Sequence, residues 1–206
     1  MENVLIIPTL LPLLLAYLLG SVPYGLVFAT KFCGIDPRTA GSGNVGATNV
    51  ARLCGKGWGV ATLLCDLCKG ALSVVVAWYA ITTYGAWEYT HLAAGFLAII
   101  GHMFPVFLHF KGGKGVATTV GVFLVLCPIP FVISAVLCLL IIWRTGFVSV
   151  GSLSFVTCIP ILTAITGQYA VTLLASFIAL IIIYAHRENI KRLIKGEEKA
   201  WNVKRS

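Results

Sequence analysis

Most of this chain is written in apolar runs long enough to cross a lipid bilayer as a helix, and no other feature narrows the fold as much. The clear runs are residues 4–28, 58–81, 91–109, 147–165 and 168–185. A spanning helix needs about 20 predominantly apolar residues. Residues 115–143 add 29 more, mostly apolar, broken by Cys127-Pro-Ile-Pro130. A soluble domain usually has roughly 25% charged residues to make its polar shell. Here only 11% are charged, 59% are hydrophobic and the mean hydropathy is +0.96. The composition predicts an all-α, polytopic membrane protein with lipid as its solvent.

Charge placement sets the expected topology. Lys31, Arg38, Arg52, Lys56 and Lys69 fall in or beside the first loop, Lys111 and Lys114 follow the third run, and Arg144 follows the 115–143 segment. Seven more basic residues lie after Tyr184, whereas 82–90 and 166–168 carry no Lys or Arg. Membrane proteins retain Lys and Arg on the cytoplasmic side. If 115–143 were one kinked helix, the tail and the 31–57 loop would fall on opposite faces. A hairpin puts all 15 basic residues on one side or just inside it. The expectation is seven transmembrane helices, with helices four and five a short hairpin of about 13 residues, roughly 20 Å, each. The N-terminus is outside, the C-terminus cytoplasmic, and the location the plasma (inner) membrane. Helices that short stop inside the bilayer or lean around a cavity.

No internal repeat or soluble segment divides the chain, so residues 1–206 read as a single domain. The opening MENVLIIPTLLPLLLAYLLG lacks the basic stretch of a signal peptide and reads as a retained first helix. The net charge of +8 sits in separated clusters, which argues against nucleic acid as a partner. The seven cysteines are an odd number, mostly within apolar runs. Cys65-Asp-Leu-Cys68 has neither a second pair nor a nearby His to complete a metal site, so buried thiols acting as small hydrophobes are expected, and no metal.

Three polar segments fall on the cytoplasmic side of that topology. The first runs from Asp36 to Arg52 and contains Gly41-Ser-Gly-Asn-Val-Gly-Ala-Thr48. Gly41, Gly43 and Gly46 allow tight turns that expose N–H groups, as in an anion nest. Ser42, Asn44, Thr48 and Asn49 add side-chain donors, and Arg52 adds a charge able to grip phosphate at two points. Gly41–Thr48 nearly fits a P-loop, but Ala47 stands at the lysine position and no strand precedes it. A flexible polar linker is the plainer account; the density of donors beside lipid favours a site.

The second segment is Gly101-His-Met-Phe-Pro-Val-Phe-Leu-His-Phe-Lys-Gly-Gly-Lys-Gly115. Pro105 kinks or ends the third helix. Gly112, Gly113 and Gly115 then frame Lys114 at the start of the next, where free N–H groups and the helix dipole attract anions. A juxtamembrane basic turn would explain the lysines but not the glycines. His102 and His109 read as structural hydrogen-bonding residues. The third segment, His186-Arg-Glu-Asn189 and onward, follows the last helix, with His186, Asn189 and Leu193 on one helical face. Lys191, Lys195 and the terminal basic residues suit a tail lying on anionic lipid. Asp66 and Lys69, three residues apart inside the second helix, read as an ion pair bracing the site, with a proton relay as the alternative. Gly20-Ser-Val-Pro-Tyr-Gly25 reads as packing room.

In this order, GSVPYG (20–25), GSGNVGATN (41–49), CDLCKG (65–70), GHMFPVF (101–107), FKGGKGVAT (110–118) and HRENIKRLIKGEE (186–198) closely resemble the bacterial acyl-phosphate:glycerol-3-phosphate acyltransferases, the PlsY family. The resemblance covers nearly the whole chain. It implies a seven-helix fold, a cytoplasm-facing site and no metal, nucleotide or other cofactor. By position it implies that Ser42 and Arg52 belong to the first active-site motif, Lys114 and its glycines to the glycerol-3-phosphate motif, and His186 and Asn189 to the third. The implied partners are acyl phosphate, glycerol 3-phosphate and membrane lipid, with no obligate protein partner.

The residues suit that chemistry. Two phosphate-bearing substrates would meet two glycine-rich basic segments, and a fatty chain can lie between helices. Acyl phosphate is an activated mixed anhydride, so positioning and charge neutralisation can supply most of the acceleration. The leaving phosphate could take the hydroxyl proton; His186 is the alternative base. A transporter for an organic anion would be expected to show an inverted repeat, and none is visible. A lipid phosphatase using Ser or His as nucleophile is the other competitor.

Overall fold

In the computed structural model, which describes residues 5–201, every regular element is helical. The chain divides into two compact units, Met1–Leu126 and Cys127–Ser206. The first contains α1 (Ile6–Ser21), α2 (Tyr24–Cys33), α3 (Ala47–Cys54), α4 (Lys56–Tyr84), α5 (Thr90–Met103), a 3-10 turn (Val106–Leu108) and α6 (Val116–Leu126). The second contains α7 (Pro128–Thr145), α8 (Val148–Ile165), α9 (Tyr169–Ala185) and α10 (Arg187–Ile194).

Among the described residues, five stretches are long and apolar enough to cross a membrane: Ile6–Cys33, Lys56–Tyr84, Thr90–Leu108, Pro128–Thr145 and Val148–Ile165. Tyr169–Ala185 with Arg187–Ile194 passes the same test as a pair bent by 59°, and Val116–Leu126 is a shorter apolar helix. The 115–143 segment is two helices, but of 11 and 18 residues rather than two of about 13. Cys127, at φ −147°, stops α6, and Pro128 opens α7 where its missing N–H costs nothing. Arg144 does not end α7; a basic residue is favourable in a last turn, and the helix stops only at Gly146, φ +77°.

The first apolar run is also divided. Pro23 has no N–H to continue a helix, so α1 ends at Ser21 and α2 begins at Tyr24. Val4, where the run was expected to begin, lies outside the described residues, as do the terminal Lys204 and Arg205.

In the first unit α4 is central, packing on α1, α3, α5 and α6. Lipid gives no hydrophobic drive for helix association, so close approach through small residues does that work. A Cβ on Gly20 would collide with the Ala98 backbone of α5, and one on Gly101 with Tyr17 of α1. Gly70 and Gly121 play the same part between α4 and α6, against Thr118 and Leu67. In the GSVPYG segment Gly20 and Gly25 give packing room, but residues 20–25 also line the small cavity of the candidate site, which the packing reading alone did not anticipate. In the second unit α8 packs on α7 and α9.

Candidate active site

The first glycine loop is folded around one side chain. Asn49, in α3, is buried at 2% exposure. Its Nδ2 donates to the carbonyls of Pro37 (3.0 Å), Ala40 (3.1 Å) and Asn44 (2.9 Å), and its Oδ1 accepts from the Ser42 N–H (2.9 Å). Gly41 and Gly43 have φ of 65° and 69°, a region that suits glycine, and a Cβ on Gly41 would strike Asn49 Oδ1. Asn44 Oδ1 accepts the Gly46 N–H at 2.8 Å, and Gly43 N–H donates to Ala40.

This changes the anion-nest expectation. The N–H groups of Ser42, Gly43 and Gly46 are spent inside the loop, so much of its polar reach falls to side chains: the exposed Ser42, the Asn44 amide group, and Thr48 and Arg52 one turn apart on α3. Arg38 is committed to Asp36 in a two-point pair (Nε–Oδ1 3.0 Å, Nη2–Oδ2 2.6 Å), whose hydrogen bonds hold the Asp36 carboxyl below its ordinary range.

The second loop closes the end of α5. Pro105 stops that helix and leaves its last carbonyls without helical partners. Gly113 N–H donates to His102 O (3.1 Å), Gly112 N–H to Met103 O (3.0 Å), and the Tyr17 hydroxyl to Phe104 O (3.0 Å). His109 and Phe110, at φ 50° and 61°, take left-handed backbone that costs a non-glycine residue about 1–2 kcal/mol. That reversal delivers Lys111–Lys114 back to α5. Gly115, φ +88°, then sets the chain into α6 against Met103, with Lys114 half-buried just before it.

Beneath both loops lies a charged core. Lys69 Nζ is 2.9 Å from Asp66 Oδ1, both side chains almost fully buried, and donates to Val22 O at the α1–α2 break (3.0 Å). The ion pair expected within the second apolar run is present. His102 Nδ1 stands 3.5 Å from Asp66 Oδ1. Val45 of the first loop and Gly112 of the second line one small cavity with Asp66, Lys69 and His102.

The third segment lies in the second unit. His186 terminates α9 and is 3% exposed; its Nδ1 is 2.8 Å from Ile182 O, which fixes that nitrogen as the donor. The chain bends here by 59° into α10, so the third segment follows the last long helix as a separate one, as expected. Asn189, 8% exposed, donates from Nδ2 to Glu198 Oε1 at 2.6 Å. Ser149 Oγ donates to the same oxygen at 2.8 Å, and Arg192 Nε to Oε2 at 2.8 Å. Burial pushes the Glu198 carboxyl up, but donation from Asn189, Arg192 and Ser149 outweighs it and holds the group below its ordinary range.

Sequence reasoning missed Ser149 and Glu198. Their partners are 49 and nine residues away, beyond any helical spacing. The hydroxyl-rich Ser149-Val-Gly-Ser-Leu-Ser154, opening an apolar run, was the available signal. The cysteines are all free, but only Cys127 is buried and Cys68 is exposed, so small-hydrophobe packing describes Cys127 better than the set.

Comparison with known proteins follows the same lines. The family profile described as Glycerol-3-phosphate acyltransferase matches residues 10–196. A curated Glycerol-3-phosphate acyltransferase of Nitratidesulfovibrio vulgaris is 52% identical over 95% of this chain, which spans 59% of that relative's length. The one of Lawsonia intracellularis is 51% identical over 90% of this chain and 92% of its own. Among solved structures, the chain is similar to PlsY (YgiH), an integral membrane glycerol 3-phosphate acyltransferase. Its glycerol 3-phosphate form gives a TM-score of 0.86 at 39% identity, covering 93% of this chain and 94% of that one. Its lysophosphatidic acid form gives 0.83 at 38%, with the same coverage.

Proposed function

This chain belongs to the glycerol-3-phosphate acyltransferase family, of the PlsY type, and on that premise we propose that it moves a fatty-acyl group from acyl phosphate to glycerol 3-phosphate, forming lysophosphatidic acid. The observation that carries the reading is that Val45 of one braced glycine loop and Gly112 of the other line the same small cavity of the first unit. Two loops suit two phosphate-bearing substrates.

In this reading Lys114, with Gly112, Gly113 and Gly115, holds the phosphate of glycerol 3-phosphate. Ser42, Thr48 and Arg52, on the loop shaped by Gly41, Gly43, Asn44 and Gly46, hold the phosphate of the donor. The primary hydroxyl oxygen of glycerol 3-phosphate attacks the acyl carbon. The carbon–oxygen bond to phosphate breaks, and the departing phosphate carries off the hydroxyl proton. His186 and Asn189 orient the acceptor. No cofactor is called for, because the mixed anhydride is already activated and the protein need only position substrates and neutralise charge.

The same reading treats residues 1–206 as one acyltransferase domain in the plasma (inner) membrane. Its chain crosses seven times, with the N-terminus outside and all three motifs on the cytoplasmic side. The five long apolar stretches and the bent α9–α10 pair give up to six candidate spans among the described residues, and in this reading the shorter α6, of 11 residues, is the seventh.

The test is direct. Purified full-length protein is given labelled glycerol 3-phosphate with acyl phosphate, acyl-CoA or acyl-carrier protein in turn. The expected result is lysophosphatidic acid and inorganic phosphate in equal amounts with acyl phosphate alone. Product from acyl-CoA but not acyl phosphate would overturn the donor assignment.

A further inference from the structure

The chemistry above makes no use of the buried Lys69–Asp66–His102 cluster, although ionisable groups within a membrane segment are costly to keep and mark function by default. A structural ion pair needs only Asp66 and Lys69, which already lie 2.9 Å apart within α4. His102 comes from another helix, and its two ring nitrogens face different things. Nδ1 points to Asp66 Oδ1 at 3.5 Å, while Nε2 lies against the Cα of Gly113, so closely that a Cβ there would collide with it. The His102 carbonyl, in turn, accepts the Gly113 N–H at 3.1 Å. One residue therefore touches the residue before Lys114 from both its backbone and its side chain.

The cluster also has a fixed base. Lys69 donates to Val22 O, at the break forced by Pro23, so its ammonium is tied to α1 and α2 as well as to Asp66. A path of direct contacts runs from that break through Lys69, Asp66 and His102 to Gly113. Each member is buried: Lys69 and Asp66 at 2%, His102 at 7%.

We propose that His102, backed by the Asp66–Lys69 pair, is a positioning residue for the acceptor substrate: it sets the height and turn of the Gly112–Gly115 loop so that Lys114 meets the phosphate of glycerol 3-phosphate. The inference rests on the reading that this loop holds that phosphate. It assigns the cluster to acceptor binding, and neither to proton relay nor to bracing alone. A displacement of order 1 Å in a binding group is enough for a large kinetic loss.

The experiment uses the full chain in lipid nanodiscs, with kcat and both KM values measured for His102→Ala, His102→Asn, the double variant Asp66→Asn/Lys69→Met, and Lys114→Ala. Asn places an amide N–H near the position of Nδ1, so it restores the contact with Asp66 without an imidazole. The double variant removes both charges together and leaves neither stranded. The expected result is a rise of about tenfold or more in KM for glycerol 3-phosphate in His102→Ala and the double variant. kcat and KM for acyl phosphate stay within about threefold, and His102→Asn recovers part of the loss. A wild-type acceptor KM in His102→Ala and in the double variant, with Lys114→Ala raised, overturns the positioning role while the loop keeps its substrate. A fall in kcat at constant acceptor KM overturns it too. If Lys114→Ala itself keeps the wild-type acceptor KM, the loop is not the phosphate site, and the proposal falls with that reading. Should His102→Ala fail to fold, His102→Asn and the double variant decide on the same criteria.

Discussion

Asn49 Oδ1 accepts the backbone N–H of Ser42 at 2.9 Å, linking a buried helix residue to an exposed loop residue seven positions earlier. Ser42 is thus held by its backbone while its hydroxyl remains at the surface. Asn49→Ala would strand three carbonyls and one N–H. A buried polar group left unpaired costs about 1–3 kcal/mol, so the variant is expected to lose about that much stability. It should also lose donor binding, read as a higher KM for acyl phosphate in nanodiscs. Asn49→Asp keeps the acceptor for Ser42 but loses the three donations, and should fare almost as badly. Wild-type thermal unfolding and kinetics in both variants would remove Asn49 as the loop's brace.

Lys114 is the charge that the second loop presents beside its glycines. Lys114→Ala is expected to lower kcat/KM for glycerol 3-phosphate by roughly 10- to 100-fold, the worth of one charge-assisted hydrogen bond. Lys114→Arg should recover only part, because a planar guanidinium does not replace a compact ammonium. Steady-state assays with varied acceptor decide it.

His186 donates from Nδ1 to Ile182, leaving Nε2 as the ring nitrogen able to accept a proton. A general base contributes roughly 100- to 10,000-fold. If the donor phosphate takes the proton instead, His186→Gln retains measurable turnover while His186→Ala does much worse. Equal inactivity of the two variants, with normal acceptor binding, would make His186 the base.

Glu198 couples the second unit to pH. Its carboxyl is held below the ordinary range in the folded protein, so its contribution is fully present above the unfolded value near 4.3 and is lost as pH falls through the folded one. Thermal stability is therefore expected to be level above about pH 5 and to decline in more acidic solution. Glu198→Gln should be less stable at neutral pH and lack much of that acid limb. An identical acid profile in the variant would show that other groups set it.

Topology can be read by labelling. In a cysteine-light background, Glu88→Cys and Lys199→Cys are expected to react with an impermeant reagent from opposite faces of sealed vesicles. Labelling from the same face would overturn the seven-crossing arrangement.

The apolar runs were legible in the sequence because span length is set by bilayer thickness: the runs 58–81, 147–165 and 168–185 recur as single helices within a few residues, whereas 4–28 is divided at Pro23 and 91–109 stops as an α-helix at Met103. Breaks were harder. Pro105 announced the end of α5, yet Pro12 and Pro160 sit inside α1 and α8 without ending them. At Pro23 the chain does divide, and Val22 O finds another donor in Lys69. The glycine loops were visible as motifs, but the use of their N–H groups was not. Gly41-Ser-Gly-Asn reads alike whether its amides face a ligand or, as here, partly face Asn49. The Ser149–Glu198–Asn189 cluster was hidden because it is assembled by the fold of the tail over 49 residues, with no local period to reveal it.

Asp66 and Lys69 stand one helical turn apart on a single segment, and this bears on how the chain enters the membrane. Each charge alone would add about 2.5–3.5 kcal/mol to insertion at mid-bilayer. Residues spaced i,i+3 meet as soon as their helix forms. The pair can therefore close inside α4 as soon as that helix forms, before α5 follows it into the membrane to deliver His102. Biogenesis then follows chain order: α4 arrives in lipid already neutralised, and the later helix docks onto a finished charge pair.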